Sequence, residues 1–341
     1  MNSQPFVSVI VPVYNGSAHI ERCLDALVSS SYLSFEIIVV DDCSTDDTVS
    51  KAGQMEVNIL RLQKQAGPGA ARHFGVQHAR GEILLFVDSD VIVRKDTIAR
   101  VVDDFKLNPD IVALFGSYDD DPGETNFISQ YKNLFHHYHH QEAASEAFTF
   151  WAGCGAILKK VYLEMGGFDV KRYERPSIED IELGYRISKK GYRIILDKKL
   201  QVKHLKRWDL SSLIRTDIFQ RAIPWSRLIL ETKFMPNDLN LKVSHKISSL
   251  TTFLMTLLIP LIVISSIKYQ DTSVNVTSGI ILAILFIIFL IMNRDLYKFY
   301  LRNRGFMFTV KVILFHILYY LYSGISFIYC WIRYRIFVPR A

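Results

Sequence analysis

Asp88-Ser89-Asp90 follows the apolar run Ile83–Val87 and sets two carboxylates one residue apart. Like charges that close need protons or a cation to be tolerated. A hard divalent cation takes oxygen ligands and is also bridged by phosphates, so the pair points to metal-assisted chemistry on a phosphorylated ligand. Two more polar clusters end apolar runs: Pro12-Val13-Tyr14-Asn15-Gly16, and Asp41-Asp42-Cys43-Ser44-Thr45-Asp46. Asp and Ser after a strand commonly cap the next helix, and Ser44 to Asp47 includes such a cap. Capping accounts poorly for Asp88 and Asp90. Gly67-Pro68-Gly69-Ala70-Ala71-Arg72 reads either as a tight turn or as a loop opening a helix whose free N–H groups favour an anion. Glu179, Asp180 and Glu182 read either as acids complementing a helix dipole or as the source of a general base.

These clusters need elements to hold them. The first half alternates short β-branched runs with helical stretches: strands at Val7–Val11, Glu36–Val40, Asn58–Leu62 and Ile83–Val87, with helices at Ala18–Ser29, Thr45–Ala52 and Gly69–Ala79. The strands read as apolar throughout, the pattern of a parallel sheet covered by helices on both faces. Ligands of such sheets sit at the carboxyl ends of the strands, where all three clusters fall.

This set of motifs resembles the family 2 glycosyltransferases over roughly residues 5 to 230. The resemblance implies a GT-A fold, a Rossmann-like, mostly parallel sheet flanked by helices, and an inverting transfer from a nucleotide-sugar donor, a UDP-sugar first. It assigns Pro12, Tyr14, Asp41 and Asp42 to the base and ribose of the donor, and Gly67 and Arg72 to the loop below it. Asp88 goes to the ribose and Asp90 to a divalent metal, Mg²⁺ or Mn²⁺, bridging the diphosphate. The segment Arg175 to Arg186 is similar to the family's "ED" stretch, which makes Asp180 the base and leaves Glu182 to support the site. His204, after Gln201-Val202-Lys203, matches the position of a histidine that completes metal coordination in several such enzymes; a lone histidine is otherwise more often structural. Trp151, Gly153, Gly155 and Glu179 are assigned to the acceptor side, the glycines to allow a close substrate approach. Gln220, Arg221 and Trp225 resemble the Gln-x-x-Arg-Trp motif of processive polysaccharide synthases, but the spacing is off by one and Ile223-Pro224 stands where an arginine is expected. An amphipathic interfacial helix over 208–235, with Leu213, Ile214, Ile218 and Trp225 dipping into lipid, is the other reading. The run His136 to His140 lies in a helical stretch where neighbouring side chains diverge, which argues against a metal cluster.

The 341 residues allow two domains, 1–235 and 246–341. After residue 245 come three uncharged apolar segments, 247–267, 274–293 and 312–332, each close to the ~20 residues that cross a bilayer. From Arg294 onward there are eight basic residues and one acid, against 32 and 33 before it. A basic tail on a neutral body excludes an ordinary nucleic-acid binder and fits a membrane-proximal segment. Four scattered cysteines without CxxC spacing argue for a reducing compartment. No secretory signal leads the first strand, so the expected arrangement is a multi-pass protein of the cell membrane with its catalytic domain cytoplasmic. Two crossings then keep Arg294, Lys298, Arg302 and Arg304 inside. A simple third crossing puts Arg333, Arg335 and Arg340 outside, whereas a hairpin or interfacial element bent near Gly324 returns them.

The expected partners are therefore a nucleotide-sugar, a lipid-linked or membrane-proximal glycan acceptor and membrane lipid, with no nucleic acid. The alternatives are transfer to a polyprenyl phosphate, processive polysaccharide synthesis, and a non-catalytic sugar-nucleotide-binding membrane protein. A degenerate protein of the last kind is expected to lose metal or base residues, and Asp88, Asp90 and Asp180 are all present.

Overall fold

Valine and isoleucine branch at Cβ and pack well on a pleated surface, and β1 (Val7–Val13) is buried along its whole length. In chain order there follow α1 (Ile20–Val28), β2 (Phe35–Asp41), α2 (Thr48–Ala52), β3 (Asn58–Arg61), α3 (Pro68–His78), β4 (Ile83–Val87) and β5 (Val91–Ile92). Next are α4 (Thr97–Leu107), β6 (Ile111–Tyr118), α5 (Phe127–Glu142), β7 (Glu146–Ala147), β8 (Cys154–Leu158), α6 (Lys159–Glu164), α7 (Glu179–Lys189) and β9 (Arg193–His204). This computed structural model describes residues 4–235, 242–269 and 272–337. The chain divides into two compact units, Met1–Leu210 and Ser211–Ala341.

The first unit is built on one mixed sheet of order β3-β2-β1-β4-β8-β6-β9-β5, with β7 also paired to β9. Its first four strands are parallel. β8 enters antiparallel between β4 and β6, and β9 then runs parallel to β6. Helices supply apolar stripes to the core: α1 buries Ile20, Cys23, Leu24 and Leu27 at helical spacing against the valines of β1 and β4. The strand ends expected from sequence are correct to within one or two residues, but helix α2 begins at Thr48 rather than Thr45 because Ser44 to Asp47 is given over to loop contacts described below.

The strands are not apolar throughout, a correction to the sequence reading. Ser8 and Glu36 are paired in register between β1 and β2 and both are buried. The Ser8 hydroxyl donates to Glu36 Oε1 at 2.7 Å and accepts the Gly81 N–H at 2.8 Å, while Arg80 gives Glu36 its backbone N–H (2.7 Å) and Nε (3.0 Å). Burial pushes the Glu36 carboxyl up, but these donors outweigh it and hold the group below its ordinary value. Such stability is present above the unfolded pKa of about 4.3 and is lost as pH falls through the folded value. Glu36→Gln is expected to cost about 1.5–3 kcal/mol at pH 7. Urea unfolding of both proteins checks this, with the difference shrinking below about pH 4.

The second unit is helical: α8 (Leu210–Arg215), a π-helical turn at Thr216–Ala222, α9 (Ile223–Thr232), α10 (Val243–Ile264) and a second π-helical turn at Ser265–Tyr269. It continues with α11 (Thr272–Met292), α12 (Arg294–Arg304) and α13 (Phe306–Phe337). Three stretches, Val243–Lys268, Thr272–Met292 and Phe306–Ile336, are long and apolar enough to cross a membrane. The hairpin considered for the third does not form: α13 runs through Gly324 without reversal. Gly324 is instead a close-packing position, since a Cβ there would lie 3.0 Å from Ser249 Oγ of α10. Small residues let apolar helices approach where packing and polar contacts replace a hydrophobic drive. The same helices share buried hydrogen bonds, with Asn293 Nδ2 donating to Ser248 Oγ (2.9 Å) and Tyr320 Oη to Asn293 Oδ1 (3.1 Å). In the expected interfacial segment, Leu213 is buried rather than lipid-facing, and Tyr322 Oη donates to Asp217 Oδ2 at 2.6 Å. Arg340 lies outside the described residues.

Candidate active site

The loop after β1 is laced to the loop after β2. The backbone N–H groups of Asn15, Gly16 and Ser17 donate to Ser44 Oγ (2.9 Å), Thr48 Oγ1 (2.8 Å) and Asp46 Oδ2 (3.1 Å), and Thr45 N–H returns a bond to Asn15 Oδ1 (2.8 Å). Asn15 and Cys43 hold positive φ, 48° and 66°, at the two bends. Pro12 is buried in β1 and Tyr14 stands exposed at the rim. Asp41 and Asp42 are buried. Asp41 Oδ1 accepts the Ser44 N–H at 3.0 Å, and its Oδ2 lies 3.1 Å from Arg61 Nε on the next strand. Asp42 accepts the N–H groups of Ala66 (2.7 Å) and Gly67 (2.9 Å), so it holds the glycine loop in place. Burial pushes Asp42 up, those two N–H groups oppose it, and the Asp41 charge adds to the rise. Gly67 is required twice over: its φ is +86°, and a Cβ would lie 2.7 Å from the Glu174 carbonyl oxygen.

Arg72, on α3, is buried between two of the expected motifs. Its Nη2 donates to Asp88 Oδ1 at 2.6 Å and its Nη1 to Glu179 Oε1 at 3.0 Å. Glu179, expected at the acceptor, is 4% exposed and turned to Arg72, with Gly69 of the glycine loop packed on its side chain. Burial pushes the Glu179 carboxyl up; Arg72 opposes this and the Asp180 charge adds to it. At Asp88 burial also pushes up, against Arg72 and with Asp90 and Asp180. The four carboxylates thus share one electrostatic site, and Arg72 is the cation inside it. Removing one partner of a buried pair leaves an uncompensated charge, so Arg72→Met is expected to cost about 3–5 kcal/mol. Thermal unfolding of the detergent-solubilised variant should show a Tm lower by roughly 10 °C.

His204 reaches Asp90 through strand pairing. β5, directly after Asp90, pairs with the end of β9 so that Val91 faces His204, and His204 Nε2 lies 3.5 Å from Asp90 Oδ2. Burial works against the Asp90 carboxylate, but His204, Lys206 and His19 outweigh it and hold the carboxyl at about 2. An acidic carboxylate beside an imidazole is a donor set a divalent cation accepts. Among the described residues no group of three or more His, Cys, Asp or Glu side chains converges as a closed metal site. The remaining positions of an ion held by Asp90 and His204 would fall to phosphate oxygens and water.

Asp180 opens α7 half-buried. Its Oδ2 accepts the Ala152 N–H at 3.1 Å and its Oδ1 the Ile181 N–H at 2.8 Å. Each oxygen keeps a lone pair for another donor. Glu182 forms a two-point pair with Arg186 at 2.7 and 2.8 Å, and Arg186 in turn reaches the carbonyls of Met165 and Gly167. Glu182 therefore braces the helix. Gly153 and Gly155 are buried, and their reason differs from the one expected. A Cβ at Gly153 would meet the Trp151 ring at 2.4 Å, and one at Gly155 the Trp151 carbonyl at 2.2 Å. The glycines make room for the protein's own Trp151. Gln220, Arg221 and Trp225 belong to the second unit, in the turn Thr216–Ala222 and in α9.

Sequence reasoning missed Tyr118, whose ring stacks on His204, and the lacing by Asn15, Asp46 and Thr48. It also missed Arg61 as the partner of Asp41. The lacing had a signal, since Asn and Asp tolerate left-handed backbone and bind neighbouring N–H groups. Tyr118 and Arg61 had none, because their contacts depend on strand register.

A parallel sheet with an antiparallel insertion, carrying two aspartates after its fourth strand and a carboxylate-bearing helix at the same rim, defines the GT-A class of fold. The mannosyltransferase PcManGT of Pyrobaculum calidifontis, solved with GDP-Man and Mn²⁺, shares that fold with a TM-score of 0.51 at 16% identity, over 99% of this chain and 89% of its own. Residues 8–166 match the family described as Glycosyl transferase family 2. Glycosyltransferase GlyG of Streptococcus pneumoniae is 31% identical over 126 residues, covering 36% of this chain and 42% of the relative. The poly(ribitol-phosphate) beta-N-acetylglucosaminyltransferase TarS of Staphylococcus aureus is 38% identical over 98 residues, 27% of this chain and 17% of its own. The alignments thus span less than half the length of either relative.

Proposed function

We propose that the protein is a membrane-anchored glycosyltransferase that moves a sugar from a nucleotide-sugar, with inversion, to a lipid-linked or membrane-proximal glycan. The observation that carries this is the buried Arg72 paired with Asp88 and Glu179, with the charges of Asp90 and Asp180 acting on Asp88 and His204 lying beside Asp90. Pro12, Tyr14, Asp41 and Asp42 line the rim that would take the base and ribose, a UDP nucleotide first and GDP next. Asp88 would receive the ribose. Asp90 and His204 would hold Mg²⁺ or Mn²⁺ against the diphosphate; such an ion, when bound, neutralises charge on the departing phosphate. Asp180 would take the proton of the acceptor hydroxyl as its oxygen bonds to the anomeric carbon. The bond from that carbon to the phosphate oxygen breaks on the opposite face, and the nucleoside diphosphate leaves with the electron pair. Trp151 would form the acceptor wall, and Glu179 acts through Arg72.

The membrane part of the proposal rests on the three apolar helices of the second unit, covalently continuous with the catalytic unit, and places that unit on the cytoplasmic side. Tethering raises the effective concentration of an acceptor that is itself held in lipid. TarS, by its name a transferase to poly(ribitol-phosphate), supports a cell-envelope polymer as the acceptor class. The test is a donor screen on the detergent-solubilised protein, following nucleoside diphosphate release with Mn²⁺ or Mg²⁺, with and without extracted lipid-linked glycans, and then with EDTA. Release from one donor that EDTA abolishes is expected. Metal-independent release would remove the assigned roles of Asp90 and His204.

A further inference from the structure

His204 lies flat against Tyr118, with ring centroids 4.2 Å apart and planes 14° from parallel. Histidines that ligate metals are usually oriented by a hydrogen bond from their second ring nitrogen. Among the described residues, the only side chain within polar reach of His204 is Asp90. The backbone of His204 is fixed by its pairing with Val91, which leaves rotation of the imidazole about its side-chain bonds to be restrained. We infer that Tyr118 is the positioning residue that supplies this restraint, holding the His204 ring with Nε2 toward Asp90 so that one cation can take both.

Tyr118 is itself well fixed. It is 7% exposed, as is His204. It ends β6 in register with Val202 of β9, so it sits two residues from His204 along the neighbouring strand. The Trp151 ring meets it edge-on at 4.8 Å, and His136 does so from α5 at 5.7 Å. Its backbone carbonyl accepts a 2.7 Å hydrogen bond from His137 Nδ1. Offset-stacked and edge-to-face pairs of this kind favour specific geometries beyond their buried area. The arrangement also gives the histidine-rich face of α5 a use: it clamps the tyrosine that orients the metal-side histidine.

This inference rests on the proposed metal role of His204, so the experiment separates the two. Mn²⁺ binding to the full-length, detergent-solubilised protein saturated with UDP is measured by the electron paramagnetic resonance signal of free Mn²⁺, and UDP binding is measured separately in EDTA. Tyr118→Leu, which removes the stack, is expected to weaken Mn²⁺ binding about 10–100-fold. Tyr118→Phe, which keeps it, should stay within about 3-fold of wild type, and UDP binding in EDTA should be unchanged in both. If His204→Ala weakens Mn²⁺ binding while Tyr118→Leu does not, Tyr118 is only packing and the inference falls alone. If His204→Ala binds Mn²⁺ normally, the metal role falls and takes the inference with it. Should Tyr118→Leu not fold, Tyr118→Met replaces it with a longer, more adaptable apolar side chain and the same expected loss.

Discussion

Asp180→Asn is expected to lower kcat for transfer by about 10²–10⁴ while leaving donor affinity within a few-fold of wild type. The size follows from what a positioned base contributes, and the split follows from where Asp180 sits. Its oxygens are held by the N–H groups of Ala152 and Ile181. Ala152 lies just before β8, which β4 separates in the sheet from the β1 and β2 ends that carry Pro12, Tyr14 and Asp41. Asparagine can accept one of those bonds through its carbonyl but turns an NH₂ toward the other donor. The helix start is thereby weakened only locally, and the residue can no longer take a proton. Single-turnover transfer combined with a direct measure of donor binding separates the two effects. Retained turnover with normal donor binding would remove Asp180 from the base role. It would favour a phosphate acceptor, which needs little help to lose a proton.

Much of this site was legible because its residues follow strands. Asp41, Asp42, Asp88 and Asp90 end apolar β-branched runs, and a parallel sheet collects such ends along one edge. The three long apolar helices were legible for a similar reason, since their sequence runs are uncharged over the length that crosses a bilayer. Contacts set by long-range register were not. Arg61 faces Asp41 only because β3 pairs with β2, and Tyr118 faces His204 only because β6 lies beside β9. Gly153 and Gly155 show a subtler limit. Their buried, crowded surroundings could be anticipated, but the neighbour that crowds them is Trp151, two and four residues earlier, folded back over the strand start. The family resemblance puts Glu179 at the acceptor, and nothing in its local sequence marks it as buried. A buried arginine from α3 supplies the partner that makes burial tolerable. A hairpin bent near Gly324 is one way to return the basic end by charge alone, yet the close approach of α10 gives this glycine a packing reason to be there.

Asp90→Asn is the second large effect, and it differs from Asp180→Asn in kind. Asp90 is the acidic partner of His204, held at about 2 by the imidazole and nearby cations against the cost of its burial. An amide in its place offers a cation one neutral oxygen and gives up the negative charge. Metal neutralisation of a departing diphosphate is worth several kcal/mol, and each 1.36 kcal/mol is tenfold in rate. A loss of about 10²–10⁴ in transfer is therefore expected, accompanied by a Mn²⁺ requirement raised at least about tenfold. Raising Mn²⁺ should recover part of the activity of Asp90→Asn and none of that of Asp180→Asn. This contrast discriminates the two roles even if the absolute rates are similar. A metal titration of the two variants side by side, with the cognate donor and acceptor, provides it. Equal insensitivity to Mn²⁺ would mean that Asp90 acts on the ligand directly, and its contact with His204 would then be an ordinary structural contact of the fold.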